Sequence, residues 1–147
     1  MAMNYDRMRK HELVALLAQV RNEKGRAPGD IVSRLRRLPI DYGQEHVILV
    51  SLDTKLHVLG MKVLFKGGIE CSVVDIRVLL RGALMVGKST GFILAHNHPS
   101  GECTPSREDI ALARRLKDAC DIIGLQLVDM LIFSECSHSS MKEDGYI

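Results

Sequence analysis

The hydrophobic pattern of the chain changes several times between the spacing of helices and that of buried strands. Apolar runs of strand length lie at 46–52, 92–96 and 125–133, and a return strand over 56–65 follows a turn at 53–55. Shorter strands are predicted at 69–74 and 139–141. Spacings of three and four residues predict helices at 6–20 and 31–38, from Asp75 to Leu84, and from Ser106 to Gly124. This alternation predicts an α/β or α+β fold, a mixed sheet sandwiched by helices.

The first 28 residues have the pattern of one amphipathic helix and a linker. Leu13, Leu16, Leu17 and Val20 share one helix face, and the segment NEKGRAPGD (22–30) then interrupts the pattern with two glycines and a proline. We therefore expect an N-terminal segment at 1–28 and one domain at 29–147, whose first helix is capped by Asp30. The apolar face of the N-terminal helix would allow packing on the domain or on a second copy, as in a homodimer.

Composition narrows the class of protein. The 147 residues are 46% hydrophobic and 26% charged, which is an ordinary globular balance. Apolar runs are shorter than a membrane span, and the N-terminus MAMNYDRMRK lacks the apolar core of a signal peptide. We expect a cytoplasmic protein without a membrane partner. The four cysteines include no C-x-x-C pair, which argues against a zinc knuckle or a thioredoxin-like site.

The segment AHNHPSGECTPSREDI (95–110) carries the clearest chemical signal. His96 and His98 stand two residues apart at the end of a strand, so their imidazoles point to the same side. Asp109 falls in the first turn of the next helix, which could face back toward them. Two imidazoles and a carboxylate are good ligands for Zn²⁺, and three protein ligands leave a fourth position for water, as a hydrolytic site requires.

Each of these residues also has a structural interpretation. Ser106 and Asp109 have the spacing of a capping box, and His96 and His98 could be hydrogen-bonded loop residues. Cys103 could add a fourth ligand, although an incidental loop position is the simpler interpretation. Separately these interpretations suffice. Together they do not explain why two histidines end an apolar strand opposite a capping acid, so a metal site is favoured.

The same residues resemble a known family. His98 is followed by seven residues, then by Ser106 and, three positions later, Asp109. The pattern H-x-H, seven residues, S-x-x-D resembles the JAMM metalloprotease motif in the form found in RadC-like domains. QEHVILVSLDTK (44–55) and VLFKGGIECSVVD (63–75) are similar to the hairpins of those domains, and 124–147 to their closing strands. The resemblance covers about residues 29–147.

The resemblance implies both a fold and a chemistry. The fold would be of the JAB/MPN type, related to that of cytidine deaminases. One Zn²⁺ per chain would be bound by His96, His98 and Asp109, and Ser106 would help to stabilise the oxyanion formed on a substrate carbonyl. The reaction would be hydrolysis of peptide or isopeptide bonds, so the expected partner is a protein or peptide substrate. RadC proteins are also named for DNA repair.

The general base of the JAMM pattern, a glutamate, is not at the position that counting predicts. In RadC-like chains it stands five residues before the glycine of the second turn, and counting back from Gly67 gives Lys62. A protonated lysine accepts no proton, although desolvation beside a dication could neutralise it. Glu70 and Glu45 are weaker candidates. Loss of the base typically costs about 10²–10⁴ in rate, so an inactive binding module is the alternative function.

Direct binding to DNA is not expected. Residues 1–28 lack the glycine-containing hairpin of the helix-hairpin-helix region that usually begins RadC proteins. Residues 1–37 hold nine Lys or Arg against four Asp or Glu, but no aromatic residues interleave for base stacking, so a solvated helix face is the better interpretation. A nuclease is also disfavoured, because Glu102, Glu108 and Asp109 outnumber Arg107 where phosphate would bind.

Overall fold

The computed structural model describes residues 28–67 and 74–147. The helices and strands, in chain order, are α1 (Pro28–Leu35), β1 (His46–Leu52), β2 (Val58–Lys66), α2 (Ile76–Leu84), β3 (Gly91–Asn97), α3 (Arg107–Ile123), β4 (Gln126–Phe133) and β5 (His138–Ser140). The predicted helix at 6–20, most of the linker and the predicted strand residues 69–73 lie outside the described part.

The five strands form one mixed sheet in the order β2-β1-β3-β4-β5. β1 pairs antiparallel with β2 and with β3, β3 pairs parallel with β4, and β4 pairs antiparallel with β5. The parallel pair requires a crossover, which α3 provides. Every residue of β1 and of β3 is buried, because helices cover both faces of the sheet. The predicted fold class, a mixed sheet sandwiched by helices, is confirmed.

Side chains alternate between two apolar clusters, one on each face of the sheet. The first cluster packs α2 and α3 against the odd positions of β1, such as Val47 and Leu49. The second packs α1 against the even positions, such as Ile48 and Val50. Alternate residues of β1 and of β3 therefore face different helices. The odd-numbered residues of β1 share a face with the even-numbered residues of β3. His96 shares the face of Leu94 and so points toward α3.

Local sequence signals set the helix boundaries. Ser106 caps α3, and Gly124 ends it in the left-handed conformation with φ 72°. Asp75 caps α2 by accepting a hydrogen bond from the N–H of Arg77. Both helices therefore begin and end as predicted.

The start of α1 corrects one prediction. The helix begins at Pro28, so Asp30 lies inside its first turn rather than at the N-cap, and 28–30 are not linker. Proline is well suited to the first helical position, because its missing N–H would have no partner there and its φ is already helical. An acidic residue in the first turn still interacts favourably with the positive end of the helix dipole.

The strand directions bring several chain ends to one edge of the sheet. β3 and β4 end there, and β1 begins there, since Val47 pairs with His96. α3 also begins at this edge, directly after the loop that follows β3. The candidate metal ligands come from these ends.

Among the described helices, none is both long enough and apolar enough for a membrane span.

Candidate metal centre

The two histidines lie side by side at the end of β3. His96 is 1% exposed and sits between Val47 of β1 and Ile132 of β4. His98 follows the strand, and its backbone N–H donates to the carbonyl of Phe133 at 3.1 Å. Their ring centroids are 4.9 Å apart and their Nε2 atoms 3.0 Å apart. The strand end therefore aims both Nε2 atoms at one point.

The tautomer of His98 is set by a backbone carbonyl. Its Nδ1 lies 2.8 Å from the carbonyl oxygen of Glu102, which can only accept a hydrogen bond. Nδ1 must therefore carry the hydrogen, and the neutral ring presents the lone pair of Nε2 toward His96. A histidine whose outer nitrogen donates to a carbonyl is the usual arrangement of a metal ligand.

Asp109 completes the group from the first turn of α3. Its Oδ1 lies 3.2 Å from Nε2 of His96, and its Oδ2 lies 3.7 Å from Nε2 of His98. The carboxylate is 1% exposed, so it is nearly sealed from solvent. The N-terminus of α3 favours a negative charge at this place.

Ser106 holds the Asp109 carboxylate by a complete capping box. Its backbone N–H and its hydroxyl both donate to Oδ2 of Asp109, at 2.8 and 2.7 Å, and its Oγ accepts from the N–H of Asp109 at 3.1 Å. Oδ1 is the oxygen nearer His96. Capping and metal binding are therefore compatible here, because the two oxygens of Asp109 serve different partners.

The distances match those of a metal coordination sphere. In a tetrahedral Zn²⁺ site with bonds of about 2.0–2.1 Å, neighbouring ligand atoms lie about 3.3 Å apart. The two Nε2 atoms lie 3.0 Å apart and Oδ1 of Asp109 lies 3.2 Å from Nε2 of His96, whereas the 3.7 Å distance to Nε2 of His98 is measured from Oδ2. Two imidazole nitrogens and a carboxylate oxygen are also the donor types that Zn²⁺ takes in open sites. The residues thus fit a small divalent cation.

Glu45 lies beside the two histidines. A carboxylate oxygen of Glu45 and one ring nitrogen each of His96 and His98 all lie within 4.8 Å of one another. Glu45 stands two residues before Val47, so it shares the sheet face of His96. Glu45 is half-buried and the side chain of His98 is 20% exposed, whereas His96 and Asp109 are buried. Solvent therefore reaches the group at Glu45 and His98.

Lys62, the position obtained by counting, lies on β2, which is separated from the histidine-bearing β3 by β1. It is an exposed residue of β2 opposite Leu49, two residues along β1 from the partner of His96. From the usual strand spacings, its Cα lies about 12 Å from that of His96. Counting from Gly67 placed the acid on β2, whereas the carboxylate that the structure brings to the histidines is that of Glu45, directly before β1. Glu70 is outside the described residues.

Cys103 belongs to the core rather than to the ligand group. It is 6% exposed and packs in the apolar cluster between the sheet and α3. Its carbonyl accepts a hydrogen bond from the hydroxyl of Ser139 at 2.5 Å, which ties the loop to β5. Within the described residues, the group of potential ligands that meets at this edge comprises Glu45, His96 and His98 with Asp109 adjoining, and Cys103 is not part of it.

Comparison with known proteins agrees with the fold and the motif. The family model described as a RadC-like JAB domain matches residues 26–146. A UPF0758 protein of Clostridium beijerinckii is 42% identical over 121 residues, which are 82% of this chain and 52% of that protein. One from Clostridium perfringens is 40% identical over 134 residues, 88% and 56% of the two chains. One from Methanococcoides burtonii is 36% identical over 124 residues, which are 84% of this chain and 54% of that protein.

The chain spans about half the length of these curated relatives. The match of the family model covers the chain from residue 26 to residue 146, including the strand ends and the helix that meet at the candidate metal centre. The chain belongs to the RadC-like JAB domain family.

Proposed function

We propose that this domain is a Zn²⁺-dependent hydrolase of peptide or isopeptide bonds. The observation that carries the proposal is the meeting of two imidazoles and a buried carboxylate at separations of 3.0, 3.2 and 3.7 Å, with a second carboxylate at the open side. That donor set suits a zinc site that keeps one position for a further ligand. The JAB family includes metalloproteases, which supports this class of reaction.

His96, His98 and Asp109 would hold the metal. When bound, Zn²⁺ would lower the pKa of a water molecule toward neutrality and polarise a substrate carbonyl. His98 is held by its hydrogen bond to the carbonyl of Glu102, and Asp109 by Ser106, so these side chains are oriented before any ligand arrives. Little reorganisation would then accompany metal binding.

Glu45 is the residue we assign as general base. Its carboxylate stands within 4.8 Å of the ligand nitrogens and on the side that solvent reaches, where an attacking water would lie. A carboxylate there can take a proton from the water and return it to the leaving amine. This placement argues against the alternative of an inactive binding module, whose main support was Lys62 at the acid position.

Ser106 would act first on Asp109 and only secondarily on a substrate. A hydroxyl has one hydrogen, and that of Ser106 is donated to Oδ2 of Asp109. Stabilisation of a substrate oxyanion by Ser106 therefore requires the hydroxyl to rotate away from Asp109 during the reaction. Its orienting contribution to Asp109 needs no such motion.

The test is hydrolysis by metal-loaded protein of a panel of isopeptide-linked and internally quenched peptides. We expect Glu45→Gln to keep one Zn²⁺ per chain and to lose about 10²–10⁴ in rate. His96→Ala should lose both metal and activity. Glu135→Gln, which removes an exposed acid in the turn between β4 and β5, is the charge control and should leave both unchanged.

Two results would contradict the proposal. One is a wild-type protein that binds one Zn²⁺ and cleaves no member of the panel. The other is cleavage that persists undiminished in Glu45→Gln, which would show that the base is elsewhere.

A further inference from the structure

Asn97, between the two histidines, makes hydrogen bonds that the metal centre itself does not explain. It is 0% exposed, and strand alternation turns its side chain away from the sheet face of His96. Its Oδ1 accepts from the backbone N–H of His46 at 2.8 Å, and its Nδ2 donates to the carbonyl of Gln44 at 2.8 Å. One buried amide thus uses both of its polar ends on the start of β1 and the residues just before it.

The two backbone groups that Asn97 binds are those on either side of Glu45. Regular pairing of β1 with β3 extends only to Val47 and His96, so the sheet ladder with β3 does not reach Gln44. The carbonyl of Glu45 itself accepts from the N–H of Gly67 at 2.9 Å, on the side of β2. The backbone of Glu45 is therefore held between β2 on one side and Asn97 on the other.

We propose that Asn97 is a positioning residue, which fixes Glu45 over the metal ligands by clamping the backbone on both sides of it. The inference rests on the proposed function in one respect, the role of Glu45 as base. The same residue triplet, 96–98, would then supply two ligands on one face of β3 and the support for the base on the other. A displacement of the base by 1 Å can cost about 10²-fold in rate, so such support has a functional consequence.

An amide side chain supplies an acceptor and a donor together. Its oxygen accepts from the N–H of His46 and its nitrogen donates to the carbonyl of Gln44, which also lies 3.0 Å from Nδ1 of His46. An aspartate of the same shape keeps the acceptor but, when ionised, has no donor for Gln44. Asn97→Asp therefore breaks one half of the clamp with almost no change in volume, and Asn97→Ala breaks both halves.

The test uses Co²⁺ as a spectroscopic probe of the site in four proteins: wild type, Glu45→Gln, Asn97→Ala and the double variant. Removing the Glu45 carboxylate should change the visible absorption of bound Co²⁺ in the wild-type background. In the Asn97→Ala background the same replacement should change it by less than a quarter as much. Zn²⁺ affinity of Asn97→Ala should stay within about threefold of wild type, because the ligands lie on the other face of the strand.

Controls separate this role from general destabilisation. Ser140→Ala also removes two hydrogen bonds, a buried one from its hydroxyl to Asp129 and a partly buried one from the N–H of Glu143. Ser140 lies on β5, and neither bond involves the histidines. The effect of Glu45→Gln on the Co²⁺ spectrum should remain full-sized in that background. If Asn97→Ala does not fold, Asn97→Asp replaces it in the same cycle, with an intermediate loss expected.

The outcomes separate this inference from the proposed function. The inference would be overturned if Glu45→Gln changed the Co²⁺ absorption as much in the Asn97→Ala background as in the wild type. It would also be overturned if Glu45→Gln did not change the wild-type spectrum. A loss of Zn²⁺ affinity of about 100-fold in Asn97→Ala would overturn it as well, since Asn97 would then act on the ligands. The absorption readout requires no substrate, so it holds even if hydrolysis is not found. Where hydrolysis is found, Asn97→Ala should lower kcat by about 10–100-fold with KM unchanged.

Discussion

Replacing Ser106 by alanine should lower both the stability of the fold and the affinity for Zn²⁺, and the two effects can be measured separately. The variant loses the N-cap bond to the backbone of α3, worth about 1 kcal/mol, within a range of about 0.5–2. It also loses the hydroxyl bond to the carboxylate of Asp109, and hydrogen bonds to charged groups contribute about 1.5–3 kcal/mol. Water cannot replace that bond easily, because Asp109 is 1% exposed. The metal-free protein should therefore be about 2–5 kcal/mol less stable.

The metal site should weaken by a further, independent amount. The backbone N–H of Ser106, 2.8 Å from Oδ2, would still hold the carboxylate, but the hydroxyl that also donates to Oδ2 would be gone. Loss of a group that orients a metal ligand typically costs about 10–100-fold in affinity. The stability difference between wild type and variant should therefore widen by about 1.4–2.7 kcal/mol when both are saturated with zinc.

Two measurements check this prediction. Urea unfolding in the presence of a strong chelator measures the free energy of unfolding of the metal-free protein. Competition with a chromophoric chelator measures the Zn²⁺ dissociation constant. Asp75→Ala removes the N-cap of α2, away from the histidines, and is the matched control. It should lower stability without changing zinc affinity. If Ser106→Ala loses stability but binds Zn²⁺ as tightly as wild type, Ser106 is only a helix cap and the reasoning is refuted.

Three further outcomes are expected away from the metal ligands. Gly124→Ala should destabilise by about 1 kcal/mol in urea unfolding, because φ is 72° there; an unchanged midpoint would contradict this. Burial raises the pKa of Asp129 above its usual 3.8, so its ionisation favours the unfolded state and its contribution to stability falls as pH rises from 3.8 through the raised value. The stability of Asp129→Asn should fall less steeply over that range, and parallel pH curves would argue against the assignment. Burial also raises the pKa of the Cys120 thiol, so iodoacetamide should label exposed Cys136 long before Cys120 by mass spectrometry, and equal rates would contradict the burial.

Local signals in the sequence were sufficient for the elements and for part of the site. The spacing of apolar residues predicted β1, β3 and α3, and Ser106 and Gly124 marked the ends of α3 where the structure has them. His96 and His98 depend on strand alternation alone, which is a local rule. Such features need no knowledge of which strands are neighbours.

The residue that we propose as general base could not be placed from local signals, because its position depends on strand pairing. Glu45 meets the histidines through the register in which Val47 lies opposite His96, a contact between residues far apart in sequence. Counting from a turn could not supply that register and pointed to Lys62. The sequence did contain a signal for Glu45. It stands two residues before the buried Val47, so strand alternation places both side chains on the sheet face that packs against α3.

Asn97 illustrates the same limit at a second residue. In the sequence it belongs to a turn-like segment with Pro99 and Gly101, and asparagine is common in turns. Its two partners, at His46 and Gln44, are about fifty residues away and become visible only in the sheet. Its burial, 0% exposed, distinguishes it from a turn residue.

The most direct test of the account is the zinc content of purified protein measured beside His96→Ala and Asp109→Asn. The account predicts one Zn²⁺ per wild-type chain at saturation and little or none in either variant, with circular dichroism showing both variants folded. A folded His96→Ala protein that still binds one Zn²⁺ with wild-type affinity would contradict the claim that these side chains form the metal centre.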